Sequence, residues 1–142
     1  MLSGQPRARR LPGEVMHARS DVGSVVYSHP PHSIAIAATG RPLQAVSHAE
    51  TMSVPPDVLR FARTAELIVT TALGTGVANA LGRGTRFSSS TTGSSPRGGG
   101  RHAVIRAVVL EKAAHQQLLI HAFGGARRWS SDEEALRKRA TV

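Results

Sequence analysis

At 142 residues, 40% of them hydrophobic, the chain is sized for one domain with a real core, although aromatics at 4% leave few large anchors. It has no cysteine, which excludes a disulfide framework, a thiolate metal site and a cysteine nucleophile. The net charge of +9 is mostly arginine, gathered at Arg7–Arg10, in the Gly/Ser/Arg stretch of 82–103 and near both ends of the last helix. A basic nucleic-acid binder would add stacking aromatics or a recognition motif to such clusters. Stacking aromatics are nearly absent from these clusters and no recognition motif accompanies them, so nucleic-acid binding is a secondary reading.

No apolar run approaches the roughly 18 residues of a membrane helix, so no membrane partner is expected. Residues 1–13 carry arginines and no acid, as transit peptides do, but lack serine richness and an amphipathic repeat. Gly4, Pro6, Pro12 and Gly13 break this stretch and predict an irregular segment. "DVGSVVYSH" (21–29) has the β-branched density of a buried strand and stops at Pro30-Pro31. "HSIAIAATG" then reads as a short apolar helix ended by Gly40. "RPLQAVSHAE" (41–50) resembles a second strand, and "TAELIVTT" (64–71) a third. "ALGTGVANALG" predicts a helix closed by Gly82, despite two internal glycines.

After a Gly/Ser/Arg stretch, "GRGTRFSSSTTGSSPRGGGRHA", comes the longest periodic segment. Residues 101–125 place Val104, Val108, Glu111, His115, Leu118 and Ala122 near one helical face, with Ile105, Val109 and Leu119 beside it. Gly124-Gly125 ends that helix, and Ser131 with Glu134 forms a capping-box signature for a short exposed helix. Strands alternating with helices predict an α/β or α+β domain.

The run "DVGSVVYSHPPHSIAIAATGRPLQAVSHAE" resembles the class II aldolase/adducin family, whose members show a strand, a His-x-His pair, a helix and a Gly-Arg-Pro-Leu turn in that order. The resemblance continues through "RFARTAELIVTTALGTGVANALG" and resumes at "HAVIRAVVLEKAAHQQLLIHAFGG", so it spans about Leu11 to Arg139 apart from the Gly/Ser/Arg stretch. It implies an α/β fold: a three-layer α/β/α domain with a mostly antiparallel central sheet, incomplete in this chain. The domain would cover 14–125, with 85–100 aberrant and 126–142 an exposed helix and tail. It further implies a cytoplasmic homotetramer and a zinc-dependent carbon–carbon lyase of a small phosphorylated sugar or hydroxy-acid. Epimerases, dehydratases and decarboxylases share the scaffold. A non-catalytic, adducin-like interaction domain is the alternative.

The chemistry behind that implication is specific. Aldol cleavage leaves an enediolate, whose charge needs a Lewis acid, and zinc on three neutral imidazoles supplies it with positions open to substrate. In the family, two imidazoles come from the His-x-His at a strand end, where alternate residues point the same way, and the third from a later Asn-His-Gly segment. The equivalent positions here are Tyr27, His29 and Thr92. A phenol keeps its proton at neutral pH and ligates weakly, and a threonine hydroxyl does not replace an imidazole. His32, beyond two prolines, points elsewhere. Glu14 matches a glutamate resembling the family's catalytic acid/base, the kind of carboxylate that moves a proton beside a metal. Glu50, in a His-Ala-acid triplet with His48, matches a catalytic aspartate of related epimerases. His115 and His121 are assigned no role.

The family carries a segment resembling "DAVFLVNHGIVVAG" where this chain has "TRFSSSTTGSSPRGG". Read one base earlier, the codons of Thr85, Arg86 and Phe87 can give Asp-Ala-Val, and those of Ser88 to Ser90 can give Phe-Leu-Val. Thr91-Thr92 then give Asn-His, Gly93 stays glycine, and Ser94-Ser95 give Ile-Val. The result, "DAVFLVNHGIV", is in register with the family and puts the missing histidine at Thr92. A local frameshift, compensated near Gly100, is the expectation. It predicts poor zinc binding and marginal folding, because a core strand has become polar and glycine-rich. The family's N-terminal part, which includes glycine- and serine-rich backbone that cradles the substrate phosphate, is also expected to be truncated.

Overall fold

The computed structural model describes residues 10–48, 51, 54, 58, 70–81, 86–87, 92–95 and 99–141. In chain order these form α1 (Arg10–Ala18), β1 (Ser24–Tyr27), α2 (Pro31–Thr39), α3 (Thr71–Leu81), β2 (Arg86–Phe87), β3 (Thr92–Ser95), α4 (Gly100–Ala122) and α5 (Asp132–Ala140). The described part is mixed and mostly helical, with one three-stranded sheet in the order β1-β3-β2. Both pairings are antiparallel, and Tyr27 stands opposite Thr92.

Helix α1 starts inside the stretch expected to be irregular. Pro12 is tolerated there because the first turn of a helix has no internal acceptor for its missing N–H. Strand β1 is shorter than expected. Arg19 donates two 2.6 Å hydrogen bonds to the Asp21 carboxylate and Val22 N–H donates to Arg19 O, which fixes a turn just ahead of it. Helix α2 follows expectation: proline fills its first position, and Gly40, at φ 67°, ends it in the left-handed conformation that favours glycine.

The expected strand over 41–50 is not formed in its described part, 41–48. Its backbone partner is a side chain. Gln117, 2% exposed on α4, accepts from Gln44 N–H (2.8 Å) and donates through Nε2 to Pro42 O (2.9 Å). One amide thus does the work of a neighbouring strand's peptide group, and Ser130 N–H satisfies Ala45 O at 2.8 Å. The expected strand over 64–71 falls outside the described residues except at its end, where Thr71 opens α3.

Helix α4 forms where its periodicity places it, and Gly124 and Gly125 follow it with φ of 91° and 96°. Only part of its expected face turns inward: Glu111 meets α2 and Leu118 packs on the core. Val104 and Val108 are about half exposed, whereas Ala103, Leu110, Ala113, Ala114 and Gln117 are buried. Apolar residues lie on both sides of this helix, so periodicity alone does not choose between them. Small alanines admit α2 closely, and Glu111 and Gln117 find hydrogen-bonding partners only when that side faces inward.

The main core joins α2, α4 and α5 through Ile36, Leu110, Ala113, Ala114 and Ala135, with Leu43 and Ala45 from the segment between. A second, smaller core joins Val15 of α1 to Val77 and Ala78 of α3, against Val25 and Tyr27 of β1. Helix α5 carries the expected capping box, with Ser131 N–H on Glu134 Oε2 (2.9 Å) and Glu134 N–H on Ser131 Oγ (3.2 Å). It is more than an exposed tail, because Ala135 is fully buried and Arg139 Nε donates to Thr51 O at 2.6 Å.

Replacing Gln117 with leucine leaves a backbone donor and acceptor without partners. Gln117→Leu should lower stability by about 2–3 kcal/mol in urea unfolding, while the exposed cap variant Ser131→Ala should cost only about 1 kcal/mol. A Gln117→Leu protein within about 0.5 kcal/mol of the parent would refute the role given to this amide.

Candidate functional site

The end of β1 brings three expected positions together. Tyr27 is half-buried against the α1–α3 core, and its ring meets that of His29 edge-on, 5.1 Å between centroids at 79°. His29 is exposed two residues further on. Antiparallel pairing sets Thr92 directly across from Tyr27, so the position expected for a third imidazole lies beside the first.

Glu14 stands on α1, one residue before Val15, which packs in the same core as Tyr27. Its side chain is wedged against α3. A Cβ added at Gly74 would lie 2.8 Å from Glu14 Cγ, so the glycine is what lets the two helices close on this carboxylate. His48 is exposed, and its carbonyl accepts from Thr51 Oγ1 at 2.6 Å. Glu50 lies outside the described residues.

These donors do not fit zinc. A three-imidazole centre at Tyr27, His29 and Thr92 would find one imidazole, a phenol and an aliphatic hydroxyl there. Among the described residues no three His, Asp or Glu side chains converge in a way that holds a metal ion.

A denser polar cluster lies next to this place and was not singled out from the sequence. Glu111 reaches from the middle of α4 to the first turn of α2. Its Oε1 accepts from His32 N–H at 3.0 Å and from the His32 ring at 2.6 Å. Its Oε2 accepts from Ser33 N–H at 2.9 Å and from Ser33 Oγ at 2.7 Å. An ionised carboxylate only accepts, so His32 Nδ1 carries the proton in this contact. The His32 ring also stacks on His115, centroids 4.1 Å apart and planes 18° apart. His115, assigned no role from its position, is therefore part of the cluster. The signal in the sequence was a carboxylate in the middle of an apolar helix, where charge needs a partner.

Burial pushes the Glu111 carboxyl upward, but the hydrogen bonds from Ser33 and His32 outweigh it and hold the group below the usual carboxylate range.

Residues 11–118 match the family described as Class II Aldolase and Adducin N-terminal domain. No curated protein matches the chain. The matched span contains Glu14, Tyr27, His29, Glu50, Thr92 and Glu111, whereas α5 lies beyond it.

The sign of the Glu111 shift fixes a pH dependence. A depressed folded-state value means its stabilisation is present above the ordinary value of 4.5 and is lost as pH falls through the folded one. Acid titrations of stability should therefore separate the parent from Glu111→Gln. The gap between them should be widest near neutrality and shrink below pH 4.5. A gap that is constant down to the acid transition would contradict this account.

Proposed function

The chain belongs to the class II aldolase and adducin family, and on that premise we propose that it is a homologue of the zinc-dependent carbon–carbon lyases whose metal centre is impaired in this chain. The reaction inherited by descent acts on a small phosphorylated sugar or hydroxy-acid. The family's three-layer α/β/α arrangement, homotetrameric assembly and cytoplasmic setting belong to the same proposal. Glu14 and Glu50 are the proposed proton-transfer carboxylates, and His29 is the retained imidazole.

The observation that carries this reading is the pairing of Tyr27 with Thr92 beside His29. This pairing is compatible with a three-histidine site at those positions, two of whose donors are replaced in this chain. The strand content supports a shifted reading frame as the cause. Thr92–Ser95 occupies the middle of the sheet although Gly93, Ser94 and Ser95 have little strand propensity, and the reframed sequence would place the strand formers Ile-Val at 94–95. The DNA around codons 84–101 tests it directly: if no single-base shift yields Asn-His-Gly, the frameshift is wrong.

The missing donors equally suit the second reading, an adducin-like domain that keeps the fold and works by binding a partner. About half-exposed Val104, Ile105 and Val108 on α4 favour it to that extent.

Zinc binding separates these readings from an intact enzyme. The purified chain should hold well under one equivalent after zinc loading and dialysis. The double variant Tyr27→His, Thr92→His, which completes the imidazole set, should tighten binding on the order of 100-fold. Near-stoichiometric zinc with retro-aldol turnover in the unmodified chain would overturn both the impairment and the scaffold reading. Tight, salt-sensitive DNA binding would instead revive the nucleic-acid reading.

A further inference from the structure

A helix N-terminus presents N–H groups without internal acceptors and a partial positive charge, so it recruits an anion or a capping side chain. At α2 the N-cap is Pro30, which offers no side-chain acceptor. The vacancy is filled from α4. Both Glu111 oxygens are engaged, taking the backbone N–H groups of His32 and Ser33, the Ser33 hydroxyl and the His32 ring. The carboxylate occupies this place as a bound anion would, except that it is covalently part of the fold.

Only Pro30 and Pro31 separate this clamp from His29. Pro30 is extended, at φ −73° and ψ 124°, and the rings of both residues restrict φ. Two consecutive prolines form a stiff strut, so a displacement of the first turn of α2 is passed on to His29 instead of being absorbed. On the other side of His29, β1 is tied at Tyr27 to Thr92. The imidazole therefore stands between two anchors, one of them a carboxylate on a different helix. Stacking of His32 on His115 adds a second contact between the same two helices.

We infer that Glu111 is a positioning residue: an internal anion at the N-terminus of α2 that sets, through the Pro30-Pro31 strut, where His29 stands. The importance of that placement rests on reading His29 as the retained imidazole of the family site. The placement itself does not depend on any metal.

The test uses the full chain, metal-free, with histidine rings isotopically labelled and followed by nuclear magnetic resonance. The parent should give one sharp set of His29 ring signals. Glu111→Ala should split or broaden them while backbone amides of α5 stay in place. Added formate should restore the single set, because a free carboxylate can occupy the emptied donors, and it should leave the parent spectrum unchanged. Unmoved His29 signals in a folded Glu111→Ala protein, or failure of formate to restore displaced ones, overturn the inference. Glu111→Gln keeps an acceptor oxygen and serves where the alanine variant does not fold; it should shift His29 in the same direction to a smaller extent, and an unchanged His29 there also overturns it. Collapse of both variants even with formate counts against it, since a purely structural role then suffices. The zinc experiment and this one fail separately, because His29 is read here without metal.

Discussion

Where α4 crosses α2, a charged group must be brought out of water, and the structure makes that cost manageable by giving it four donors at once. The arrangement is conditional in both directions. Without Glu111 the α2 N-terminus would sit against a neighbouring helix with unserved N–H groups. Without those groups a carboxylate would stand unpaired on the inward side of α4. The alanines at 113 and 114 let the helices approach, and Ile36 and Leu110 belong to the core the two helices share. Gln117, less than two turns along, repeats the principle with a neutral amide. The main core is thus registered by polar contacts and filled by small apolar groups, an economical solution for a chain with few aromatics.

Much of the helical structure was legible in the sequence, because its punctuation is local. Proline at 31 and glycine at 40 bracket α2, Ser131 and Glu134 cap α5, and the glycines at 124 and 125 stop α4. What local signals did not decide was orientation. The valines at 104 and 108 have the right spacing for a buried stripe, yet the helix turns its alanines inward. That choice depends on partners seventy or more residues away in sequence, which no periodicity records. The segment after Gly40 shows the same effect for strands. Its alternation is real, with Leu43 and Ala45 buried, but a side-chain amide takes the place of a neighbouring strand.

For the candidate site, the sequence offers positions and the structure adds their surroundings. Tyr27, His29 and Thr92 could be placed by family resemblance, and the sheet register brings the first and last together. Glu14 was assigned by analogy, and its close fit against Gly74 emerged only in three dimensions. Glu111 was visible merely as a residue on a helical face. Its role arises from the meeting of two elements, and such groups are systematically missed when a chain is read one segment at a time.

If the proposed shift of reading frame is right, strand β3 bears on how folds survive damage. The ladder joining Thr92–Ser95 to Ser24–Tyr27 is made by peptide groups, which every non-proline residue carries alike. A stretch rewritten in its letters but preserved in its length can go on occupying its rung. Side chains bear the function, and they have no such redundancy. In such a change chemistry would be lost before architecture, since the peptide ladder does not depend on which side chains it carries.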